Sequence, residues 1–307
     1  MSELGKAIQK MNFRGAVRFN EPMKKHTSFQ VGGPADIFCT PVSAADIGPA
    51  IRFAEGNNLP LFVLGSGANI LVSDLGIRGL VIDMSELRSC TLQDGLLVAG
   101  AGMEMSMAAE IAADAGLAGL EFIYSMPGSV GGSVWMNARC YGTSISERLV
   151  FAEIIDRNGI VRRESPPADA FDYKVSPFQD KPWVIISAGF ALNPGNTDEI
   201  LKEMEEHKAD RTDKGHFSAP SVGSIFKNNR EFGEPSGKII DSLGLRGHTI
   251  GGAKISEKHA NIIINLGNGS AAEIIELIRY VESKVASTKG YALEREVRLV
   301  GDWPEEG

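Results

Sequence analysis

From Ser125 to Gly142 the chain reads SMPGSVGGSVWMNARCYG, four glycines among small hydroxyls with Arg139 as the one formal charge. Glycine at that density lets backbone N–H groups come close to a ligand, because no Cβ stands between them. A turn lined by such N–H groups, with Ser129, Ser133 and Asn137 beside it, makes an anion-binding concavity suited to a diphosphate. Upstream, Val63 to Asp74 reads VLGSGANILVSD. An apolar run enters, Gly65-Ser66-Gly67 turns, Asn69 offers an amide and a second apolar run leaves. One glycine-rich turn alone is more often a hairpin or loop. Two of them, each with Asn and Ser, read as two walls of one dinucleotide site. Neither is a Rossmann fingerprint, since Gly65-x-Gly67 lacks the third glycine and no clear crossover helix precedes Asp83.

Composition narrows the class. At 307 residues the chain exceeds one typical domain, so two or three are expected. A hydrophobic content of 43%, 23% charged residues and a mean hydropathy of −0.05 are those of a soluble globular protein. A net charge of −8 and a pI near 5.3 argue against nucleic acid as a partner. Cys39, Cys90 and Cys140 are widely spaced without a C-x-x-C, which is neither a disulfide framework nor a zinc site and favours a reducing compartment. The five histidines show no metal-ligand spacing, and no metal is expected. The first residues, MSELGKAIQKMNFRGAVRFNEP, lack the apolar core of a signal peptide. No run of 18 apolar residues appears, so no membrane insertion is expected, and the expected location is cytoplasmic.

Periodicity sketches the elements. Ile47, Ile51 and Phe53-Ala54 fall on a helix, and Leu61–Leu64, Ile70–Val72 and Leu80–Ile82 read as strands. Met105 to Ala115 is an Ala-rich helix that Gly116 caps. Phe151–Asp156, Ile160–Arg163 and Val184–Phe190 read as strands, with Asn158-Gly159 predicting a two-residue hairpin. Asn193-Pro194-Gly195-Asn196 breaks the pattern before a charged helix from Asp198 to Lys208. Asn261 to Leu266 is a β-branched strand. Ser270 and Glu273 form a capping box for a helix whose Ile274, Leu277, Ile278, Val281 and Val285 share one face. Glu294 to Leu299 alternates as a last strand.

Six strings in this order carry a resemblance: HTSFQVGGPAD from His26, GSGANILVSD, PGSVGGSVWMNA, GSIFKN from Gly223, IGGAKISEKHANIIIN from Ile250 and LEREVRLVG from Leu293. Together, from about His26 to Gly301, they resemble the UDP-N-acetylenolpyruvoylglucosamine reductases. The resemblance implies an α+β fold: a two-subdomain FAD-binding region of the vanillyl-alcohol-oxidase/PCMH type plus a C-terminal α+β substrate-binding domain. The boundaries expected are 1–85 for the first FAD subdomain, with 291–307 returning to it, 86–195 for the second, and 196–290 for the substrate domain. The compact stretch from Tyr173 to Ser224 points to the second of the family's two types, without an inserted tyrosine loop.

The activity implied is NADPH-dependent reduction of UDP-N-acetylglucosamine enolpyruvate to UDP-N-acetylmuramate through FAD, in peptidoglycan precursor synthesis. FAD is expected to be held without a covalent bond, NADPH to act as co-substrate, and the protein to be a monomer. An enol ether is not intrinsically electrophilic. Its carboxylate must be polarised while hydride adds to the far carbon, and an acid must protonate the near carbon. By the resemblance, Ser224 is the proton donor, although alone it would read as a turn hydroxyl. Glu296 is the active-site carboxylate, and Lys174 faces the substrate carboxylate. The cofactor residues implied are Gly65, Ser66, Gly67, Asn69, Ile70, Pro127, Gly128, Ser129, Gly131, Gly132, Ser133, Asn137 and Ala138. Arg211, Lys214, Lys227, Asn228 and His259 are expected at the substrate.

Three departures stand out. Phe171-Asp172-Tyr173-Lys174-Val175-Ser176-Pro177-Phe178 has lysine where the family has arginine, keeping the charge but losing the planar fork that grips a carboxylate at two points. Arg139-Cys140 replaces Ala-Gly, and Gly215-His216-Phe217 replaces a Gln-Pro-Leu-like run. Two other readings stay open: an FAD-dependent oxidase of the same superfamily, or a weakened homologue that only binds nucleotide sugar. GSIFKN and EREVR argue against the oxidase, and a flavin spectrum would exclude the pure binding module.

Overall fold

The computed structural model describes Ile8 and residues 13–304. Half of the N-terminal stretch read as lacking a leader core lies outside the described residues, as does the end of the 291–307 segment. Two compact units emerge: Met1–Phe19, Ile37–Ser66 and Gly79–Lys208 form unit one, and Asn20–Asp36, Gly67–Arg78 and Ala209–Gly307 form unit two. Leaving aside single turns and the two-residue strands other than Thr249–Ile250, the chain runs β1 (Ala16–Pro22), β2 (Pro34–Thr40), α1 (Ala44–Gly56), β3 (Leu61–Leu64), β4 (Ile70–Val72), β5 (Ile77–Asp83), β6 (Cys90–Gln93), β7 (Leu96–Gly100) and α2 (Met105–Asp114). It continues through α3 (Val130–Met136), β8 (Leu149–Ile155), β9 (Val161–Glu164), β10 (Val184–Ala191), α4 (Thr197–Asp213) and α5 (Ser236–Ser242). It ends with β11 (Thr249–Ile250), β12 (Ala253–Ile255), β13 (Ile263–Asn265), α6 (Ala271–Lys289) and β14 (Arg298–Val300).

A four-stranded sheet has the order β1-β2-β5-β3, with β3 parallel to β5 and Leu61 opposite Leu80. A five-stranded sheet of unit one, β9-β8-β10-β7-β6, is antiparallel throughout. Ala108, Ala109, Ala112 and Ala113 form the buried face of α2, and small side chains there let the helix lie close to its neighbours. Cys39 is fully buried in this core, and burial pushes its thiol up to about 12. It is therefore a small apolar residue, not a nucleophile. The turn between β8 and β9 differs from the two-residue hairpin expected. Asp156 accepts the amides of Asn158 (2.9 Å) and Ile160 (3.0 Å), and its own N–H donates to the Ile160 carbonyl. This side-chain turn closes a three-residue loop with Gly159 at φ 79°.

Unit two has its own core, built on Phe29, Leu71, Phe226, Ile239 and the inner face of α6. Ile274, Leu277, Ile278, Val281 and Val285 are all buried, as their spacing predicts. Each contributes roughly 1.5–3 kcal/mol of apolar burial. The capping box is present: the Ser270 side chain accepts from Glu273 N, and the Ser270 N–H donates to Glu273 Oε2. Asp74, at the end of VLGSGANILVSD, adds a second cap by accepting the amides of Ala271 (3.0 Å) and Ala272 (2.9 Å). The carboxylate there also opposes the positive end of the helix dipole. A three-stranded antiparallel sheet, β11-β12-β13, lies in the same unit, and β14 runs parallel to β4 with Leu299 opposite Leu71. The strand expected from Glu294 is regular only from Arg298. The amides of Glu296 and Val297 both reach the Ile225 carbonyl (2.7 and 3.3 Å), a bulge-like sharing that breaks the period of two.

The charged helix α4 extends beyond Lys208 to Asp213. Its last turn has no apolar stripe, so periodicity could not mark its end. Gly215 does, at φ 78°: its N–H bonds the Thr212 carbonyl and that of His216 bonds the Arg211 carbonyl, the paired bonds of a Schellman motif.

Candidate functional site

The two glycine-rich turns meet within unit one. A Cβ on Gly65 would lie 2.4 Å from the Oγ of Ser129, so only glycine permits this approach. Ser129 is buried and caps α3, accepting from the Gly132 amide at 3.3 Å. A Cβ on Gly131 would meet that of Ala101 at 2.8 Å. Ser133 and Ala138 are also buried, with the Ala138 N–H donating to the Ser133 carbonyl at 2.9 Å. Ser125, at φ 58° before Met126-Pro127-Gly128, keeps a buried Oγ without a hydrogen-bond partner. An orphaned hydroxyl beside turns that exclude a Cβ fits a ligand rich in hydrogen-bonding groups, as FAD is.

Asn137 ends α3 in the left-handed region, at φ 44°. Its side chain is committed within the protein: Nδ2 donates to the Asp172 carbonyl (2.9 Å) and Oδ1 accepts from Ser146 N (3.1 Å). The first of these bonds, with Ser176 Oγ and Gln179 Nε2 donating to the Trp135 carbonyl (2.6 and 3.0 Å), fastens the Lys174 loop to the end of α3. Lys174 itself sits at φ 61°, and its carbonyl accepts from Gln179 Nε2 at 3.1 Å.

A measurable consequence follows for the cofactor. Gly65→Ala must displace Ser129 Oγ from its cap or open the turn, a strain of about 1–3 kcal/mol. FAD affinity, followed by flavin fluorescence, is expected to fall roughly tenfold or more. Adding Ser129→Gly removes the clash and should recover part of that loss; no recovery would mean that the turns do not touch as described.

In unit two the GSIFKN and EREVR strings are neighbours. Ser224 bridges Ile262, and Phe226 bridges Arg295. The Glu296 N–H donates to the Ile225 carbonyl and the Lys227 N–H to the Glu294 carbonyl (2.9 Å), so Ser224 and Glu296 lie on paired segments. Lys227 also forms an ion pair with Glu294 at 2.5 Å, and Arg295 forms a two-pronged one with Glu282 at 2.6 and 2.7 Å. Asn69 braces the same segment: its side-chain amide donates to the Glu296 carbonyl at 3.0 Å, and its carbonyl accepts from the Arg298 N–H. Ile70 follows on β4, opposite Arg298. Gly67, at φ 66°, packs where a Cβ would lie 2.0 Å from the His26 carbonyl oxygen. Ser66, the residue before it, closes unit one's share of this turn.

Sequence reasoning missed the role of Asn261. It is buried, and its side chain bonds both the N–H (2.9 Å) and the carbonyl (2.8 Å) of Phe226, fixing the segment that carries Ser224. Asn265 likewise donates to the Phe29 carbonyl at 2.8 Å while accepting the amides of Gly267 and Gly269. The signal was present in the repeated Asn of HANIIIN, but no local rule names their partners. Asn261→Ala leaves two buried groups of Phe226 unmatched, and a stability loss of about 2–4 kcal/mol is expected in denaturant unfolding. A loss under ~0.5 kcal/mol would show the pair to be dispensable.

The residues expected at the substrate also belong to unit two. Lys214 bonds Asp210 at 2.7 Å, and Asn228 Oδ1 accepts from Ser236 N at 2.9 Å. His259 accepts the Asn261 N–H on Nδ1 at 3.2 Å, and its basicity is held down by burial and then by Lys214 and Arg246. Arg211 is buried. Lys174 belongs to unit one, and Ser224, Glu296, Arg211, Lys214, Lys227, Asn228 and His259 to unit two. Among the described residues, no group of three His, Cys, Asp or Glu could hold a metal ion, and no helix is long and apolar enough to cross a membrane.

Residues 35–165 match the family described as FAD binding domain. With the touching turns of unit one, they define a flavoprotein oxidoreductase of the vanillyl-alcohol-oxidase/PCMH fold, α+β in both units. A xylooligosaccharide oxidase from Myceliophthora thermophila shares that fold at a TM-score of 0.51 and 14% identity, over 63% of this chain and 43% of its own. Residues 215–300 match the C-terminal domain of UDP-N-acetylenolpyruvoylglucosamine reductase. Reductases of that name are 41% identical in Treponema denticola and 39% in Caldanaerobacter subterraneus subsp. tengcongensis, each over 94% of this chain and 95% of the relative. The crystal structure of UDP-N-acetylenolpyruvylglucosamine reductase from Thermus caldophilus superposes with a TM-score of 0.79 at 31% identity, over 95% of this chain and 99% of that one. The chain belongs to the UDP-N-acetylenolpyruvoylglucosamine reductase family.

Proposed function

We propose that this enzyme uses FAD to reduce UDP-N-acetylglucosamine enolpyruvate to UDP-N-acetylmuramate in peptidoglycan synthesis, with NADPH as the electron donor, and that Ser224, Glu296 and Lys174 carry the chemistry. The observation that supports it most is the pairing of Glu296 N with the Ile225 carbonyl, which sets the two candidate catalytic side chains on adjacent segments. When bound, FAD supplies the hydride that adds to the far carbon of the enol ether. Lys174 holds the substrate carboxylate and stabilises the charge that builds there. Glu296 is the active-site carboxylate of this reading. Ser224 Oγ gives its proton to the near carbon.

The cofactor residues of this reading are Gly65, Ser66, Gly67, Asn69, Ile70, Pro127, Gly128, Ser129, Gly131, Gly132, Ser133, Asn137 and Ala138. Arg211, Lys214, Lys227, Asn228 and His259 receive the nucleotide sugar. Residues 1–85 with 291–307, and 86–195, act as cofactor subdomains, and 196–290 as the substrate domain. The enzyme works as a cytoplasmic monomer. A flavin spectrum bleached by NADPH and restored by the enolpyruvyl nucleotide tests the reading. Oxygen consumption without NADPH oxidation would favour an oxidase instead.

A further inference from the structure

The end of α4 gathers positive charge that the protein does not compensate. Arg211 is 7% exposed, takes part in no ion pair among the described residues, and keeps its Nε buried without a hydrogen-bond partner. The Schellman turn at Gly215 folds His216 back over the same helix end, its N–H on the Arg211 carbonyl at 3.0 Å. His216 Nδ1 is likewise buried without a partner. Its ring centroid lies 6.0 Å from that of His259. His259 in turn accepts from Asn261, the residue that bonds both sides of Phe226 two positions from Ser224. The cluster therefore belongs to the scaffold that carries the candidate proton donor.

The nearby carboxylates Asp210, Asp241 and Glu257 are already engaged. From α4, Asp210 bonds Lys214 at 2.7 Å. From the segment facing it, Glu257 bonds Lys254 at 2.7 Å, while the Lys258 stem covers Gly215. Arg246 bonds Asp241 at 2.6 Å. What remains is a buried guanidinium, two imidazoles and two donor or acceptor atoms without partners. A buried charge in that state calls for an anion.

We propose that His216 is a proton-coupled ligand of the substrate: neutral in the free enzyme, it takes up a proton when a phosphate group of the nucleotide sugar docks against Arg211. This rests on the reading that Arg211, Lys214 and His259 receive the substrate. Burial is the largest cause holding His216 at about 4, followed by Arg211, His259 and Lys214, with Asp210 opposing weakly. A bound phosphate reverses these repulsions, so the value in the complex is higher than in the free enzyme. Below about 4 the ring is charged in both states, and above the raised value it is neutral in both. Between the two, binding consumes up to one proton, and Kd rises by up to about tenfold per pH unit as pH increases.

The test is calorimetry of UDP-N-acetylmuramate binding to the FAD-loaded enzyme near pH ~6, in two non-phosphate buffers of different ionisation enthalpy. The diphosphate diester of this ligand does not titrate there. Wild type should take up roughly 0.3–1 proton, and His216→Gln close to none while still binding near pH ~8.5. His259→Gln should retain most of the uptake. Binding without uptake in wild type overturns the proposal alone, as does uptake that survives His216→Gln. Failure of the nucleotide to bind wild type at all overturns the substrate reading with it. Should His216→Gln not fold, the His216 imidazole resonance of labelled wild type, titrated with and without the nucleotide, decides the question. An unchanged midpoint overturns the proposal and a raised one supports it.

Discussion

Ser224→Ala should purify yellow and accept electrons from NADPH at close to the normal rate, while reoxidation by the enolpyruvyl nucleotide slows by ~10²–10⁴-fold. That range is the usual contribution of a positioned general acid. The two half-reactions separate because the hydroxyl is needed only after hydride has reached the substrate. The fold makes the substitution a clean one. Residues 224–227 are held through their backbones by Asn261 and by the segment from Glu294 to Val297, so the loss of one oxygen leaves those bonds in place. Ser224→Cys should restore part of the rate, since a thiol can also donate a proton. Stopped-flow absorbance of the flavin follows each stage. Equal slowing of both would point to a disturbed cofactor site, and normal reoxidation would falsify the role of Ser224.

Lys174→Met is expected to lower turnover by ~10²–10³-fold with the flavin still bound, because a fixed positive charge facing the developing carboxylate charge is removed. Lys174→Arg should equal or exceed the parent, since the planar guanidinium grips both carboxylate oxygens at lower ordering cost. The backbone makes the comparison fair. Position 174 lies at φ 61°, a conformation that strains Lys, Arg and Met alike, so the series varies charge and shape at constant strain. The loop's anchors at Trp135, Asn137 and Gln179 do not involve the lysine side chain. Full activity in Lys174→Met would remove the residue from the reaction.

Much of this protein is legible in its amino-acid sequence. The glycines of GSGAN and PGSVGG signal backbone held open to a ligand, and within the protein Gly65 also packs against Ser129, where a Cβ would lie 2.4 Å from Oγ. The α6 face and its capping box are local patterns, set by a 3.6-residue period and a three-residue reach, and both are present. Signals that depend on distant partners fail. The period of two through Glu294, Glu296 and Arg298 ignores the shared Ile225 carbonyl, which introduces a bulge. The charged sequence after Lys208 hides the last turn of α4 and, with it, the placement of Arg211.

The asparagines show where that boundary lies. Asn69 reads as an amide on offer and Asn137 as a neighbour of a glycine-rich turn; in the structure Asn69 holds the Glu296 carbonyl and Asn137 ties the Lys174 loop to α3. Asn261 and Asn265 carry no local signal of their role and prove to be cross-links to Phe226 and Phe29. An amide has the same donor and acceptor groups whatever it faces, so residue type determines only that it must be satisfied once buried. Which group satisfies it depends on how the chain brings remote segments together. The same holds for Arg211 and His216: their residue types can be read from the chain, but not that Arg211 Nε and His216 Nδ1 are buried without partners. By itself the sequence determined the glycine turns, the amphipathic helix and the family. Tertiary structure alone decided the long-range hydrogen-bond partners and the uncompensated charge, because both are set by what lies a few ångströms away in space, which spacing along the chain does not encode.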